Sequence, residues 1–89
     1  MRRVRLTAAG LVQGVFFRAS ARDEARRLGV TGWVGNAPDG TVVAEVQGDD
    51  STVEQMVQFV RRGPGQARVE RLAVEDIAVV DSERGFGVR

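Results

Sequence analysis

The order of hydrophobic periodicities predicts an α+β sandwich on the ferredoxin-like βαββαβ plan, an antiparallel sheet with two helices on one face and a short extra C-terminal strand. Three observations carry this expectation. Segments of strict alternation flank two segments whose apolar residues recur every three or four positions, and the glycines fall mainly at the joints between them. At 89 residues the chain has room for one core, so residues 1–89 form a single domain.

Alternation opens the chain: Val4, Leu6 and Ala8 point one way and Arg3, Arg5 and Thr7 the other, as a half-buried strand requires. After Gly10-Leu11-Val12-Gln13-Gly14, the spacing of Phe17, Ala21, Ala25 and Leu28 predicts an amphipathic helix ending near Gly29. Val30 to Asn36 and Thr41 to Gln47 are the next two strands. The turn Ala37-Pro38-Asp39-Gly40 joins them, with Val42, Ala44 and Val46 facing inward. Ser51-Thr52-Val53-Glu54 has the form of a capping box at the start of a second helix, whose core face is Val53, Met56, Val57 and Val60, and Gly63-Pro64 stops it. A fourth strand runs from Ala67 to Ile77. A shift of alternation between Val69 and Leu72 predicts a bulge there. Ser82 to Gly85 turns the chain into a last strand, Phe86 to Arg89. Phe16, Phe17, Trp33 and Val34 are assigned to the core, with an aromatic wall beside a pocket as their other use.

Composition narrows the chemistry before any site is located. The chain has no cysteine and no histidine, which removes disulfides, thiolate or imidazole zinc sites, and Ser-His-Asp or Cys-His nucleophiles. It has no lysine either, so Schiff-base and P-loop lysine chemistries are excluded. The net charge of +1 hides an asymmetry: seven arginines face two acids in residues 1–28, whereas residues 29–60 hold five acids and no arginine. The N-terminal third is therefore the part that attracts anions. The apolar run Ala8 to Val12 stops at Gln13, far short of a signal or membrane-spanning segment, so a cytoplasmic protein without membrane association is expected.

The unusual segment is Gly10 to Arg18, a tight turn between the first strand and the first helix. Free N–H groups at a helix start, with the positive end of the helix dipole, form an anion cradle that glycine lets a guest approach closely. Arg18 falls in or near the first helical turn, where a cation opposes the dipole by roughly 0.3–1 kcal/mol. A bound anion reverses that sign. Spacing alone leaves a second reading open, in which Gly14 is an ordinary turn residue and Arg18 a solvated one. Asn36, at the end of the second strand, is by position a turn former, yet the topology can bring it near the first turn, and a carboxamide both donates to and accepts from water.

Gly10-Leu11-Val12-Gln13-Gly14-Val15-Phe16-Phe17-Arg18 and Gly29-Val30-Thr31-Gly32-Trp33-Val34-Gly35-Asn36 closely resemble the two motifs of the acylphosphatase family. The likeness continues through Asp39-Gly40-Thr41-Val42, Gly48 and the C-terminal strand, and so covers nearly the whole chain. The family's fold is ferredoxin-like. The resemblance implies hydrolysis of small acyl phosphates to a carboxylate and inorganic phosphate. It puts the phosphate-binding loop on Gln13, Gly14, Val15, Phe16, Phe17 and Arg18, the phosphate-holding arginine on Arg18 and the water-positioning residue on Asn36. Leu11 and Gly35 stand where relatives often carry basic side chains, a departure that bears on affinity more than on activity.

That chemistry suits a chain without histidine, cysteine or lysine. A carboxylate leaving group is a weak base and departs without an enzyme acid, so positioning and charge stabilisation suffice. No cofactor and no metal are expected, because arginine and oriented dipoles neutralise the phosphoryl charge. The partners expected are the acyl phosphate and product phosphate, and a monomer is the simplest reading. An RNA-binding module is disfavoured by the third strand, which offers no exposed aromatic for base stacking, and by the small net charge. The remaining rival keeps the anion site without the chemistry, as a regulatory phosphate or carboxylate sensor or as a domain resembling the acylphosphatase-like part of carbamoyl-transfer maturation proteins, which the length disfavours. A phosphate-release assay separates it from an enzyme.

Overall fold

The computed structural model describes all residues, Met1–Arg89. The elements are β1 (Arg2–Leu11), α1 (Phe17–Leu28), β2 (Thr31–Asn36), β3 (Val42–Gly48), α2 (Asp50–Arg62), β4 (Arg68–Ile77) and β5 (Phe86–Val88). The sheet order is β4-β1-β3-β2-β5. β4, β1, β3 and β2 pair antiparallel, as expected, but β5 lies parallel to β2, with Trp33 opposite Gly87 and Val34 opposite Val88. The sheet is therefore mixed. β5 returns from β4 past the whole width of the sheet to the β2 edge, and that crossover sets its direction.

Alternation in the strands separates the two faces of the sheet. Val4, Leu6, Ala8, Val34, Val42, Ala44 and Val46 are buried beneath the helices, and Phe17, Ala21, Ala25, Val53, Met56, Val57 and Val60 meet them from above. Burying each larger aliphatic side chain fully contributes about 1.5–3 kcal/mol. The α1 end is closed by Gly29 in the left-handed region at φ 76°, with Val30 N–H donating to Ala25 O and Gly29 N–H to Arg26 O.

Two details of the elements differ from or refine the sequence expectation. The capping box does not form: α2 begins at Asp50, its N-cap is Asp49 in extended conformation, and no side chain caps it. Starting earlier puts Ser51 inside the helix, where its hydroxyl accepts from Gln55. The bulge in β4 is present. Ala9 pairs with Arg71 and Gly10 with Val69, which leaves Glu70 without a partner.

The sheet face away from the helices carries a charged latch. Arg3, with a nearly fully buried side chain, donates to Glu45 and Glu83, and Arg5 donates to the second oxygen of Glu45. Gln47 exchanges hydrogen bonds with the main chain of Val80 in both directions, at 2.9 and 2.8 Å. Together these contacts hold the connection between β4 and β5 across the face. The hydrogen bond from Arg3 keeps the Glu83 carboxyl below the usual glutamate range, against an opposing effect of burial. For Glu45, burial is the largest influence and acts upward, but hydrogen bonds and charge from Arg5 and Arg3 outweigh it and the net shift is downward.

A carboxyl with a depressed folded pKa contributes stability that is present above its unfolded value, about 4.3 for glutamate, and lost as pH falls through the folded value. Urea midpoints should therefore be flat from neutrality to roughly pH 5 and drop below roughly pH 4. In Glu83→Gln the acid-side drop should be shallower and the neutral midpoint lower. An unchanged acid limb in that variant would remove Glu83 from the account.

Candidate active site

The loop between β1 and α1 is pinned at both ends by buried apolar side chains, Val12 and Phe17, with Val15 partly buried between them. Its backbone is unusual at two positions. Gly14 has φ 74° and Phe16, a non-glycine, has φ 60°. Left-handed residues alternating with right-handed ones turn successive N–H groups toward one side of the chain, forming an anion-binding nest. Residues 13 to 19 donate no main-chain hydrogen bond within the protein. The first internal donor is Ser20, whose N–H reaches Phe16 O at 3.0 Å.

The start of α1 lacks every ordinary form of compensation. Its N-cap residue, Phe16, makes no side-chain cap, and no acid stands in the first turn. Helix N-termini normally satisfy these donors with a Ser, Thr, Asp or Asn side chain. Here the donors have no partner within the protein, and Arg18 stands in the first helical turn. The arrangement suits an oxyanion from outside the protein.

A cleft of about 360 Å³ opens over this helix end. The loop lines it with Val12, Gly14 and Phe16, α1 with Phe17, Arg18, Ala19 and Arg22, and β5 with Val88. Its charged groups are two guanidiniums, with no carboxylate. Arg18 is exposed, and its Nη1 donates to the main-chain oxygen of Arg89 at 3.4 Å, a long contact that leaves most of its donors free.

Phe16 departs from its expected place in the core. It is 84% exposed at the rim, because its left-handed backbone swings the side chain outward while its neighbour Phe17 turns in. Trp33 is only partly buried. It lies on the sheet face opposite the helices, with the Arg89 guanidinium stacked 4.2 Å from its ring.

Gln13 and Asn36 are linked through the β2–β3 turn. Gln13 Nε2 donates to Ala37 O and Thr41 O, both at 2.9 Å, and so clamps the hairpin base to the loop. Asp39 shapes the turn by accepting from the hydroxyl and then the main chain of Thr41, which holds its carboxyl below the ordinary aspartate range. Asn36 is the last residue of β2, next to the clamped Ala37. It is exposed, and its carboxamide makes no hydrogen bond within the protein. The clamp thus brings the two sequence motifs to one end of the sheet. Gly14, Phe16, Phe17 and Arg18 line the cleft directly; Gln13, Val15 and Asn36 stand outside its lining.

Sequence reasoning missed Arg22, Ala19 and Val88. The first two are legible from helical spacing, since Arg22 lies one turn beyond Arg18 on the same face. Val88 needed the parallel docking of β5, which spacing does not reveal. Gly35, one of the departures noted above, sits against Arg89: a Cβ added there would lie 3.2 Å from the Arg89 Cβ. The added Cβ would also lie 3.3 Å from Arg89 O, so a side chain at this position needs Arg89 to give by a few tenths of an ångström.

A family model for acylphosphatase matches residues 4–88. An acylphosphatase of Rubrobacter xylanophilus is 49% identical over 88 residues, spanning 99% of this chain and 80% of that relative. One of Aeropyrum pernix is 50% identical over 88 residues, spanning 98% of this chain and 87% of the relative. The crystal structure of acylphosphatase from Bacillus subtilis matches with a TM-score of 0.95 at 28% identity, covering 100% of this chain and 99% of that one. Sequence and fold likeness covers nearly the whole chain, and on that agreement this chain belongs to the acylphosphatase family, whose members hydrolyse acyl phosphates.

Proposed function

We propose that the protein cleaves the carboxyl-phosphate bond of small acyl phosphates by in-line attack of water on phosphorus, with the loop Gln13 to Arg18 holding the phosphoryl group and Asn36 positioning the water. The observation that carries this reading is the set of unpaired amides over residues 13 to 19 beside the free donors of Arg18. Three equatorial phosphoryl oxygens need several donors converging from one side, and a nest plus a planar guanidinium fork supplies them. These groups act most strongly where charge builds up, so they stabilise the transition state without chemistry of their own.

The balance is simple. The water oxygen bonds to phosphorus, the bond from phosphorus to the acyl oxygen breaks, and its electron pair leaves on the carboxylate. A phosphoryl oxygen takes the water's proton, so the products are a carboxylate and inorganic phosphate. The leaving group needs no acid. The Arg18 guanidinium and the main-chain dipoles supply the neutralisation that a divalent cation provides elsewhere. The free Asn36 carboxamide suits the orientation of a water, and the Gln13 clamp fixes its strand end relative to the loop. No helix here is long and apolar enough to cross a membrane, and a monomer working in the cytoplasm on a diffusible substrate fits this reading.

The test is release of inorganic phosphate from benzoyl phosphate by the purified protein, with and without a chelator. Catalytic release unaffected by chelation is expected. Stoichiometric binding without release would leave an anion sensor, and activity lost to the chelator and restored by Mg²⁺ would contradict the metal-free mechanism.

A further inference from the structure

The cleft is larger than a phosphoryl group needs, and its second guanidinium has no part in the mechanism above. At about 30 Å³ per water-sized group, a five-atom phosphate fills only part of a cleft of about 360 Å³. Arg22 lies one helical turn beyond Arg18 on the same face of α1, and it too lines that space. Apart from the two arginines and Gly14 the lining is apolar, with Ala19, Phe16 and Val88 among it.

The only ion pair that Arg22 makes is with its neighbour Asp23. Both Nε and Nη2 reach the same Asp23 oxygen at 3.0 Å. The Asp23 side chain is 68% exposed, so the pair is of the weak surface kind, and one carboxylate oxygen and most of the guanidinium N–H donors stay unused. Arg26, one turn further on, is already committed to Phe86 O through two donors. Arg22 is therefore a cleft-lining cation held only by an exposed carboxylate, and no acid in the lining opposes it.

We infer that Arg22 receives a second negative charge on the acyl portion of the substrate, so that the site prefers acyl phosphates of dicarboxylic acids over neutral acyl phosphates of the same size. This inference rests on the acyl phosphate reading of the cleft. The phosphoryl group occupies the nest and Arg18, the acyl body lies on Phe16, Ala19 and Val88, and the distal carboxylate meets the guanidinium. The contact is made equally in ground and transition states, so it acts on KM more than on kcat.

The experiment compares benzoyl phosphate with 3-carboxybenzoyl phosphate, whose added carboxylate cannot cyclise onto the acyl carbon. In the unaltered protein at low salt, kcat/KM should favour the carboxylated substrate about three- to tenfold, mainly through KM, and the preference should shrink as salt is added. Arg22→Gln should bring the ratio toward one, and Arg22→Glu should invert it. A ratio that stays the same across these variants overturns the assignment of Arg22, as does a ratio indifferent to salt. Failure of both substrates to release phosphate points instead to the underlying acyl phosphate reading, so the two failures are distinguishable.

Discussion

Arg18→Ala should lower kcat/KM for a small acyl phosphate by roughly 10³-fold, through both a higher KM and a lower kcat, while leaving the fold intact or slightly more stable. The catalytic loss follows from removal of the guanidinium carried by the segment of unpaired amides itself. The stability expectation follows from what Arg18 does in the free protein. It makes one long contact, to Arg89 O, and stands at a helix N-terminus that lacks both cap and acid. A cation there opposes the dipole by about 0.3–1 kcal/mol, so its removal relieves a cost that only a bound anion offsets. Steady-state kinetics with a urea melt checks both halves. A large fall in stability would mean that Arg18 is structural, and unimpaired kinetics would remove it from the site.

Asn36→Ala should slow turnover by about 10²-fold or more while inorganic phosphate still inhibits with nearly unchanged affinity. Two observations motivate the split. The Asn36 carboxamide bonds to nothing within the protein, and it lies outside the lining of the cleft. A residue that orients water affects the rate, whereas one that grips phosphate affects product inhibition as well. Asn36→Asp makes the comparison sharper, since it keeps the shape but places a negative charge near an approaching dianion. Full turnover by Asn36→Ala would exclude the water-positioning role.

Most of the fold was legible because its cues are local. Alternation in Val4, Leu6 and Ala8 and in Val42, Ala44 and Val46 requires one apolar face, and the 3.6-residue spacing of Val53, Met56, Val57 and Val60 can be satisfied only by a helix. The misread features depend on conformation or on distant partners. Ser51 and Glu54 have capping-box spacing, but Asp49 is already extended and able to accept the first helical bond from Val53. Phe16 has a core residue's chemistry, yet its backbone is left-handed, and no propensity places a phenylalanine there. That conformation is itself informative. A strained, exposed aromatic persists where the surrounding structure over-determines it, here between buried Val12 and Phe17, and such strain gathers at functional sites.

The candidate site was legible in a different way. Helix and strand periodicity located the loop and Asn36, and the expected topology allowed them to lie near one another; the contact that ties them is the Gln13 carboxamide, which spans from the loop to Ala37 and Thr41. Nothing in the spacing assigns that role to a glutamine side chain. The parallel seat of β5, which brings Val88 to the cleft and Arg89 to Arg18, depends on a crossover over the full sheet. Long-range geometry of that kind is decided by packing, not by local pattern.

Titration with inorganic phosphate, followed residue by residue through the main-chain amide resonances, tests the central claim most directly. Saturable shifts concentrated at residues 14 to 18, with a dissociation constant equal to the inhibition constant of phosphate in the hydrolysis assay, are the predicted result. Shifts spread over the arginine-rich surface, or confined to residues away from the β1–α1 loop, would contradict it.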